Sequence, residues 1–482
     1  MAERDHNMDF EAMLQDALPN LPPEDVVAYV TPWKKAMNRL LAGLLLSLLN
    51  IQFLCLDYIL PSVGMGLCLL GLRSLRKENR CFRLCYAITI LRALALLAIL
   101  ISNATIYHSI LDDSALSGIM AAAQFVFLLS FWQALCAVKG KAGMEHSAKN
   151  AFALVVWYAV LAVLALLNYS GLLVPIALIV AYIFIFRSLY KLSRELDEAG
   201  YAIQPAALRI ADRPLAIAMA AVVVIGCACG YLFGGRYAMT WTPIEQSTQN
   251  DTEEIRAQLL ELGFPEDFLN DLTEEDILSC AGATELFVHS DAARWSDARG
   301  ASVGDLQFSG VAVRLSDGPQ TIRLFQRFVW PQRQHFYGTE ALQLWTASDE
   351  AWVLTSDVTG RLLYDENGQT YTAPYASLGR KSYSYNSIFW GSQDRVDVFA
   401  TFSLPRSGEN CRGYLTYTVE AYEAVNDYII SSWLNYDHQR TWLQYPVQTA
   451  EDDIMSASWG TSAFSMSQDA IQFYPNEDGW TE

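Results

Sequence analysis

The sequence predicts an α-helical membrane bundle of about seven transmembrane helices, followed by a mainly-β extracytoplasmic domain that is sandwich- or jelly-roll-like. Two observations predict this division. Long apolar runs fill the first 235 residues, whereas apolar and polar residues alternate with period two over much of the remainder. Residues 1–235 hold 18 Lys and Arg against 16 Asp and Glu, while residues 236–482 hold 15 against 36. An acidic second half repels phosphates, so we expect no nucleic-acid partner.

The polar residues 1–38 lack the basic start and immediate apolar core of a secretory signal peptide. Thr31 can cap a helix that has Pro32 at its first position, and the Trp-Lys-Lys of residues 33–35 suits a headgroup anchor. We therefore expect a cytoplasmic amphipathic segment over residues 1–38 and the transmembrane domain over residues 39–235.

The first apolar run, residues 40–72, is too long for one span of about 20 residues. Asn50, Asp57 and Pro61 interrupt it, which predicts a helical hairpin. A single tilted span with a re-entrant piece is the alternative. The predicted spans are residues 40–54, 57–72, 84–102, 115–138, 151–168, 171–186 and 215–235.

Lys and Arg indicate the orientation, because cytoplasmic loops retain them. They gather in alternate connections, and the connections between those hold none. The basic connections are 73–83, 139–149 and 187–213, and the others are 55–60, 103–114 and 168–172. This alternation predicts a cytoplasmic N-terminus and an extracytoplasmic C-terminal half in the cell membrane.

Two features within the predicted spans invite a functional interpretation. Arg92 interrupts an apolar helix, where a charge is costly, and Asp57 is a candidate partner. Arg92 can equally serve only to hold the bundle together. Gly226, Gly230 and Gly234 form a ridge of small residues that lets helices approach closely, which favours packing inside the bundle.

The second half begins with a linker and a short helical segment over residues 236–290, before a β-rich domain over residues 291–482. The helix signals are the capping residues Asn250 and Thr273, the stop residue Gly263 and the opening residue Pro265. Alternation around residues 322–330, 396–402, 415–419 and 428–434 predicts antiparallel strands, eight to ten in all. Asn367-Gly368 predicts a two-residue hairpin. A final helix is expected near residues 465–473.

No nucleotide-binding, nucleophile-elbow or zinc-protease motif occurs, so we expect neither cofactor nor metal and favour a protein that is not an enzyme. Asp365-x-Asn367-Gly368 begins like a calcium loop, but no Glu follows at the required distance. In an oxidising compartment Cys280 and Cys411 could form a disulfide, although their spacing in sequence does not decide it.

Ten of the thirteen tryptophans lie beyond residue 236. Most of these rings are expected in the core, but exposed rings can bind sugar faces. The candidate ligand-binding residues are Trp433, Trp390 and Trp442. Trp433 shares a strand face with Asn435, opposite the Tyr428–Leu434 face, which makes it the ring expected to be most exposed.

Three segments, LPPEDVVAYVTPWKKAMNRLL, LDYILPSVGMGLCLLGLRSLRKENR and SIFWGSQDRVDVFATFSLP, resemble multi-pass membrane proteins of anaerobic Gram-positive bacteria. The resemblance covers both halves and implies no activity. We expect an integral membrane protein of the cell envelope with an exported binding or sensing domain. Its expected partners are the lipid bilayer and an envelope glycan or another membrane protein. The alternative is a transporter or membrane enzyme whose β domain is an accessory lid.

Overall fold

The computed structural model describes residues 33–48, 55–108, 114–167, 169, 171, 173–203, 210–244, 250–292, 306–315, 320–347, 351–387, 391–422, 428–456, 463–476 and 479–481. The chain forms two compact units. One comprises residues 1–103 and 107–229, and the other residues 104–106 and 230–482. The capping pair Thr31 and Pro32 lies outside the described residues.

The first unit is helical. Six helices of the described part of the chain are long and apolar enough to cross a membrane, namely α2 to α7. The helix bounds are α1 (Trp33–Ser47), α2 (Leu56–Leu75), α3 (Arg80–Ser102), α4 (Ser114–Lys141), α5 (Lys149–Leu166), α6 (Leu173–Glu198) and α7 (Asp212–Gly234). The last five predicted spans therefore each correspond to one helix, although α6 continues twelve residues beyond its prediction.

Helix α1 differs from its prediction, and the count of seven spans is not confirmed. Its 15 residues make a helix of about 22 Å, shorter than the roughly 30 Å hydrocarbon core. It nevertheless runs antiparallel to α2, because Ala36 lies beside Gly71 whereas Ser47 lies beside Gly64. A Cβ at Gly64 would come within 2.7 Å of the Gly43 carbonyl oxygen, so the two backbones touch.

Ion pairs join the helices at the end where the basic connections lie. The Arg39 guanidinium is 2.5 Å from the Asp212 carboxylate, and Arg73 is 3.7 Å from the same carboxylate. The Lys141 ammonium is 3.6 Å from Glu78, whose side chain is buried. Arg73 and Lys141, which belong to the basic connections, thus pair with acids elsewhere in the helical unit.

The second unit contains two mainly antiparallel sheets. One has eight strands in the order β1-β8-β7-β11-β4-β3-β2, with β6 also paired to β11; the other has the order β14-β13-β12-β5-β10-β9. The strand bounds are β1 (Thr242–Pro243), β2 (Ala283–Ala292), β3 (Gln307–Leu315), β4 (Thr321–Trp330), β5 (Glu340–Trp345), β6 (Trp352–Leu354), β7 (Thr359–Glu366), β8 (Gln369–Ala373), β9 (Ser377–Ser387), β10 (Gly391–Phe402), β11 (Glu409–Ala421), β12 (Ile430–Gln439), β13 (Phe464–Asn476) and β14 (Gly479–Thr481).

One core cluster draws its side chains from both sheets. Phe328 of β4 packs on Phe402 of β10 and on Tyr436 of β12, with ring centroids 5.6 Å and 4.8 Å apart. Trp330 donates a hydrogen bond of 3.1 Å to the Tyr436 hydroxyl. Because such rings are fully buried, removing one is expected to cost about 3–5 kcal/mol.

The other face of the eight-stranded sheet carries the short helices α8 (Asn250–Glu261), α9 (Glu266–Leu269) and α10 (Glu274–Leu278). Three of the four expected signals lie just outside helix ends, whereas Asn250, the predicted cap, is the first residue of α8 itself. Gly263 after α8 has a φ of 102°, Pro265 precedes α9, and the Thr273 hydroxyl accepts a hydrogen bond from the Asp276 N–H. The predicted stop, start and cap therefore fall at helix ends.

A buried ionic network holds these helices to the sheet. The Asp271 carboxylate lies 2.5 Å from Arg327 and 2.8 Å from Arg412, and all three side chains are buried. A second ion pair joins the Asp276 carboxylate of α10 to the Arg323 guanidinium of β4 at 2.9 Å. This network was not predictable from the sequence, because its partners are separated by 47 to 141 residues.

The predicted helix near residues 465–473 is wrong. This segment is strand β13, which pairs with β12 from Ile430↔Phe473 to Gln439↔Phe464. The long pairing and the burial of Ile471 outweigh local helix propensity. A helix, α11 (Ala450–Ser456), instead lies before this strand.

The Asn367-Gly368 hairpin is confirmed. It joins β7 to β8, and both residues have positive φ, as this turn requires. The β-rich domain was predicted to start at residue 291. Strand β1 lies before that residue and β2 begins before it, so sheet pairing starts earlier in the chain.

Candidate functional site

Trp433 lies on the face of the six-stranded sheet that points away from the core. On β12, Ile430 and Leu434 are buried in the core, and Trp433 stands on the opposite side. Its ring is half-buried, because it packs on Trp345 of the neighbouring strand. Tyr428 is exposed and lies before the strand, so it does not join the core face as expected.

Trp345 and Trp433 form an aromatic pair across two strands. They are directly opposite in the β5–β12 register, with ring centroids 6.2 Å apart and an interplanar angle of 51°. The Arg395 guanidinium lies over the Trp345 ring at 5.5 Å. On the other side, Ser431 accepts hydrogen bonds from the Trp433 indole N–H at 3.0 Å and from Gln472 at 2.9 Å. We call these five residues the tryptophan platform.

A row of amides crosses four strands beside the platform. Gln468 donates to the Asn435 carbonyl oxygen at 2.6 Å, and Asn435 donates to the Gln343 carbonyl oxygen at 2.8 Å. Gln343 in turn donates to the Asp397 carboxylate at 2.7 Å. Asn435 and Gln343 are only 2% and 3% exposed. The row is therefore a fixed polar floor, and each amide's orientation follows from its neighbour.

Asp397 ends the amide row as an acceptor. The Tyr383 hydroxyl donates to the Asp397 carboxylate at 2.6 Å. Burial, the hydrogen bond to Asp397 and the charge of that carboxylate raise the pKa of Tyr383 to about 12. Tyr383 consequently keeps its proton near neutral pH and remains a donor.

Helix α11 limits the platform on one side. Ala450 and Ile454 of this helix pack with Ala341 and Phe399 on the same sheet face. The tryptophan pair lies farther along these strands, beyond this cluster. One end of the face is thus covered by the chain itself, while the end with Arg395 and Gln472 is exposed.

The arrangement is suited to binding. Aromatic rings bordered by amide, carboxylate and guanidinium groups can hold a ligand that has both an apolar face and hydroxyl groups. Within the described ranges, no three His, Cys, Asp or Glu side chains converge as a metal site. His438 is 2.9 Å from Glu340, but Glu340 is fully buried and Trp330 and Phe336 pack on the imidazole.

The other two tryptophan candidates do not join this platform. Trp390 lies outside the described residues. Trp442 is 67% exposed and follows β12, beyond its last residue Gln439. Trp442, and not Trp433, is therefore the most exposed ring among the candidates that the structure describes. Trp345 was not predicted as a candidate, although Leu342 and Leu344 are buried in the core and the alternation of β5 places Trp345 on the outer face.

Cys280 and Cys411 are free thiols in the structure, and both are buried. Cys280 belongs to the cluster under the short helices, whereas Cys411 belongs to the core cluster that draws its side chains from both sheets. Burial raises the pKa of each thiol to about 12.

In the helical unit, Arg92 is half-buried in the middle of α3, and Cys68 and Tyr158 are its electrostatic neighbours. Among the ion pairs of the described residues there is none between Arg92 and Asp57. Asp57 lies in the first turn of α2.

The predicted glycine ridge faces neighbouring side chains at two positions. A Cβ at Gly226 would come within 2.8 Å of Ile101, and one at Gly234 within 2.7 Å of Thr105. Gly230 is half-buried. The contact between α1 and α2 is closer than either of these, because there the backbone of one helix touches the backbone of the other.

A cavity of about 380 Å³ lies between α2, α3 and α7. Ser62 supplies the one hydroxyl group, and the remaining side chains are apolar, among them Met65, Leu97 and Met219. Such a lining suits an acyl chain better than an ion or a polar solute.

No protein-family model matches this chain, and no curated protein is similar to it in sequence.

Proposed function

We propose that this chain is an integral membrane protein of the cell envelope whose exported β domain binds a glycan or related envelope polymer at the tryptophan platform. In this proposal the bundle has seven spans, with α1 and the residues after it forming the first. The two sheets stack as a sandwich outside the cell. The six apolar helices and the antiparallel β domain that follows support the general plan.

The observation that carries the binding proposal is the pair Trp345–Trp433 beside a fixed row of amides. An aromatic pair on an outer sheet face is not needed for the core, which the opposite faces of β5 and β12 already fill. Sugar rings have apolar faces that pack on indole and hydroxyl groups that bond to amides and carboxylates. Arg395 adds a positive charge that suits an acidic polymer.

The apolar cavity in the bundle does not favour the alternative, a transporter or membrane enzyme. No charged residue lines it within the described part of the chain. Arg92, in the middle of α3, favours that alternative.

Binding by the full-length protein in lipid nanodiscs tests the proposal. Isothermal titration calorimetry should detect binding of cell-wall polysaccharide or peptidoglycan fragments. Trp433→Ala and Trp345→Ala should each weaken the affinity at least about tenfold, roughly 1.4 kcal/mol. Tyr422→Ala is the matched control, because Tyr422 is an exposed ring outside the platform.

Thermal unfolding of each variant separates binding from stability. A variant that melts close to the unmodified protein yet binds weakly supports the platform as the site. Equal affinity of Trp433→Ala and the unmodified protein, or no binding by any of these polymers, would contradict the proposal.

A further inference from the structure

The chain enters the β domain almost at once after its last apolar helix. Helix α7 ends at Gly234, and the Arg236 guanidinium donates a hydrogen bond to the Leu404 carbonyl oxygen. The Tyr237 N–H donates to the Ser403 hydroxyl at 3.1 Å. Two to three residues span at most about 7–11 Å. This end of the domain therefore lies within that distance of the point where α7 leaves the membrane.

A second chain of hydrogen bonds links this end to the segment after β12. Ser403 donates to the Gly338 carbonyl oxygen at 2.7 Å. The Thr339 N–H donates to the Gln439 side chain at 3.0 Å, and Gln439 donates to the Thr441 carbonyl oxygen at 3.0 Å. Residues 338, 403 and 441 thus belong to the end of the domain where the chain arrives from α7.

Two large apolar side chains are exposed at this end. Trp442 is 67% and Leu443 61% exposed, and they follow Thr441 directly. A Trp beside an aliphatic residue is costly to leave in water and is typical of membrane–water interfaces. Tryptophan is preferred there because its ring is apolar while its N–H can bond to headgroups.

Positive charge gathers at the same end of an otherwise acidic domain. Arg333, Arg406 and Arg440 lie in the connections after β4, β10 and β12, and all three are exposed. None of the three forms an ion pair within the described residues. Of the acids at this end, Glu451 pairs with Lys381, and Asp452 accepts hydrogen bonds from Thr449. Glu366 accepts a hydrogen bond from Ser407, and Glu409 is exposed, so the positive charge of the rim is local to its three arginines.

We propose that this rim, formed by Trp442, Leu443, Arg333, Arg406 and Arg440, docks on the surface of the bilayer that α7 crosses. Trp442 and Leu443 enter the headgroup region, and the three guanidinium groups bind the phosphates of anionic lipids. The membrane then holds one end of the β domain. The tryptophan platform lies farther along the strands from this rim and stays clear of the lipid. Trp442 is accordingly a lipid contact and not a part of the ligand site.

Quenching of tryptophan fluorescence in nanodiscs tests this docking with the full-length protein. Lipids brominated near the top of the acyl chain should reduce the fluorescence, and the difference between the unmodified protein and Trp442→Phe isolates the contribution of Trp442. We expect at least a twofold loss of that contribution in brominated lipid. Trp433→Phe is the matched control, and the contribution of Trp433 should not depend on bromination.

The opposite result overturns the proposal. If aqueous iodide quenches the Trp442 contribution and brominated lipid does not, the ring faces water. If Trp442 becomes shielded only when a wall polymer is added, it contacts the polymer and the docking is likewise overturned.

A second arm of the experiment tests the arginines. Lipid quenching of Trp442 should be stronger in phosphatidylglycerol than in phosphatidylcholine nanodiscs. Arg406→Gln combined with Arg440→Gln should remove this difference, whereas Arg380→Gln, an exposed arginine on β9, should preserve it. Equal quenching in both lipids for the unmodified protein would overturn the recognition of anionic headgroups.

Discussion

Asp271 lies between two buried arginines, Arg327 and Arg412, which also pair with the less buried Asp267 and Asp365. In Asp271→Asn both guanidinium groups lose their shared buried carboxylate and keep only the partner at the edge of the network. We expect the β domain to lose about 1.5–3 kcal/mol of stability, the usual contribution of a hydrogen bond to a charged group. Thermal unfolding of the full-length protein measures this. Glu275→Gln, an exposed acid in α10, is the control and should change little; equal melting of both variants would contradict the role of Asp271.

Two aspartates at the edge of this network predict a loss of stability in acid. Burial alone would raise the pKa of Asp267, but the hydrogen bond and charge of Arg327 outweigh it and hold the pKa below its usual range. Burial of Asp365 is likewise outweighed by Asn410 and Arg412, and its pKa is also lowered. Each group therefore contributes stability that is present above the unfolded-state pKa of about 3.9. That contribution disappears as pH falls through the lower folded-state pKa.

Unfolding by urea at pH 7, 5, 4 and 3 tests whether the free energy of unfolding falls in acid, as predicted. The free energy of unfolding should change little through these two groups between pH 7 and 5 and fall below about pH 4. Asp267→Asn combined with Asp365→Asn should be less stable at pH 7 and show a smaller fall in acid. A fall of the same size in the double variant would assign the acid sensitivity to other carboxylates.

At the same scale, alternation in the sequence was sufficient to place Trp433 opposite Leu434. It did not identify Trp345 as the neighbour of Trp433, because strand register joins residues 88 positions apart. The Asp271 network was invisible for the same reason. The sequence shows the period of a strand but not which strand lies beside it.

Among the elements, helices α1 and α2 depend on close backbone contact. A Cβ at Gly64 would meet the Gly43 carbonyl oxygen at 2.7 Å and the Ser47 nitrogen at the same distance. Gly64→Ala should therefore separate the helices and lower the melting temperature in detergent, although alanine is the better helix former. Gly118→Ala in α4 is the control, since a Cβ there meets nothing within 4 Å. It should be neutral or stabilising, and equal behaviour of both variants would contradict the contact.

Some turns and helix ends could be predicted from a few neighbouring residues in the sequence. The Asn367-Gly368 turn and the helix ends at Gly263, Pro265 and Thr273 were predictable, because each depends on a few neighbouring residues. Strand β13 was not, because its partner β12 decides its conformation. Long apolar runs predicted α2 to α5 and α7 to within about four residues at each end. Helix α6 continues twelve residues beyond its predicted span, and α1 ends earlier than its predicted span.

For the whole molecule, the proposed orientation of the β domain does not depend on α1. The basic connections follow α2, α4 and α6, so six crossings that begin at α2 already place the domain opposite the basic side. Whether α1 and the residues after it cross decides only where the N-terminus lies. The proposals for the platform and the rim both require the domain to be outside.

Reporter fusions in the intact cell test this central claim most directly. Alkaline phosphatase, which is active only outside the cytoplasm, is joined after Glu145, after Gly200 or after Glu482, and a cytoplasm-specific fluorescent protein is joined at the same positions. The account predicts phosphatase activity only at Glu482 and fluorescence only at Glu145 and Gly200. Fluorescence without phosphatase activity at Glu482 would contradict it, because the tryptophan platform would then face the cytoplasm.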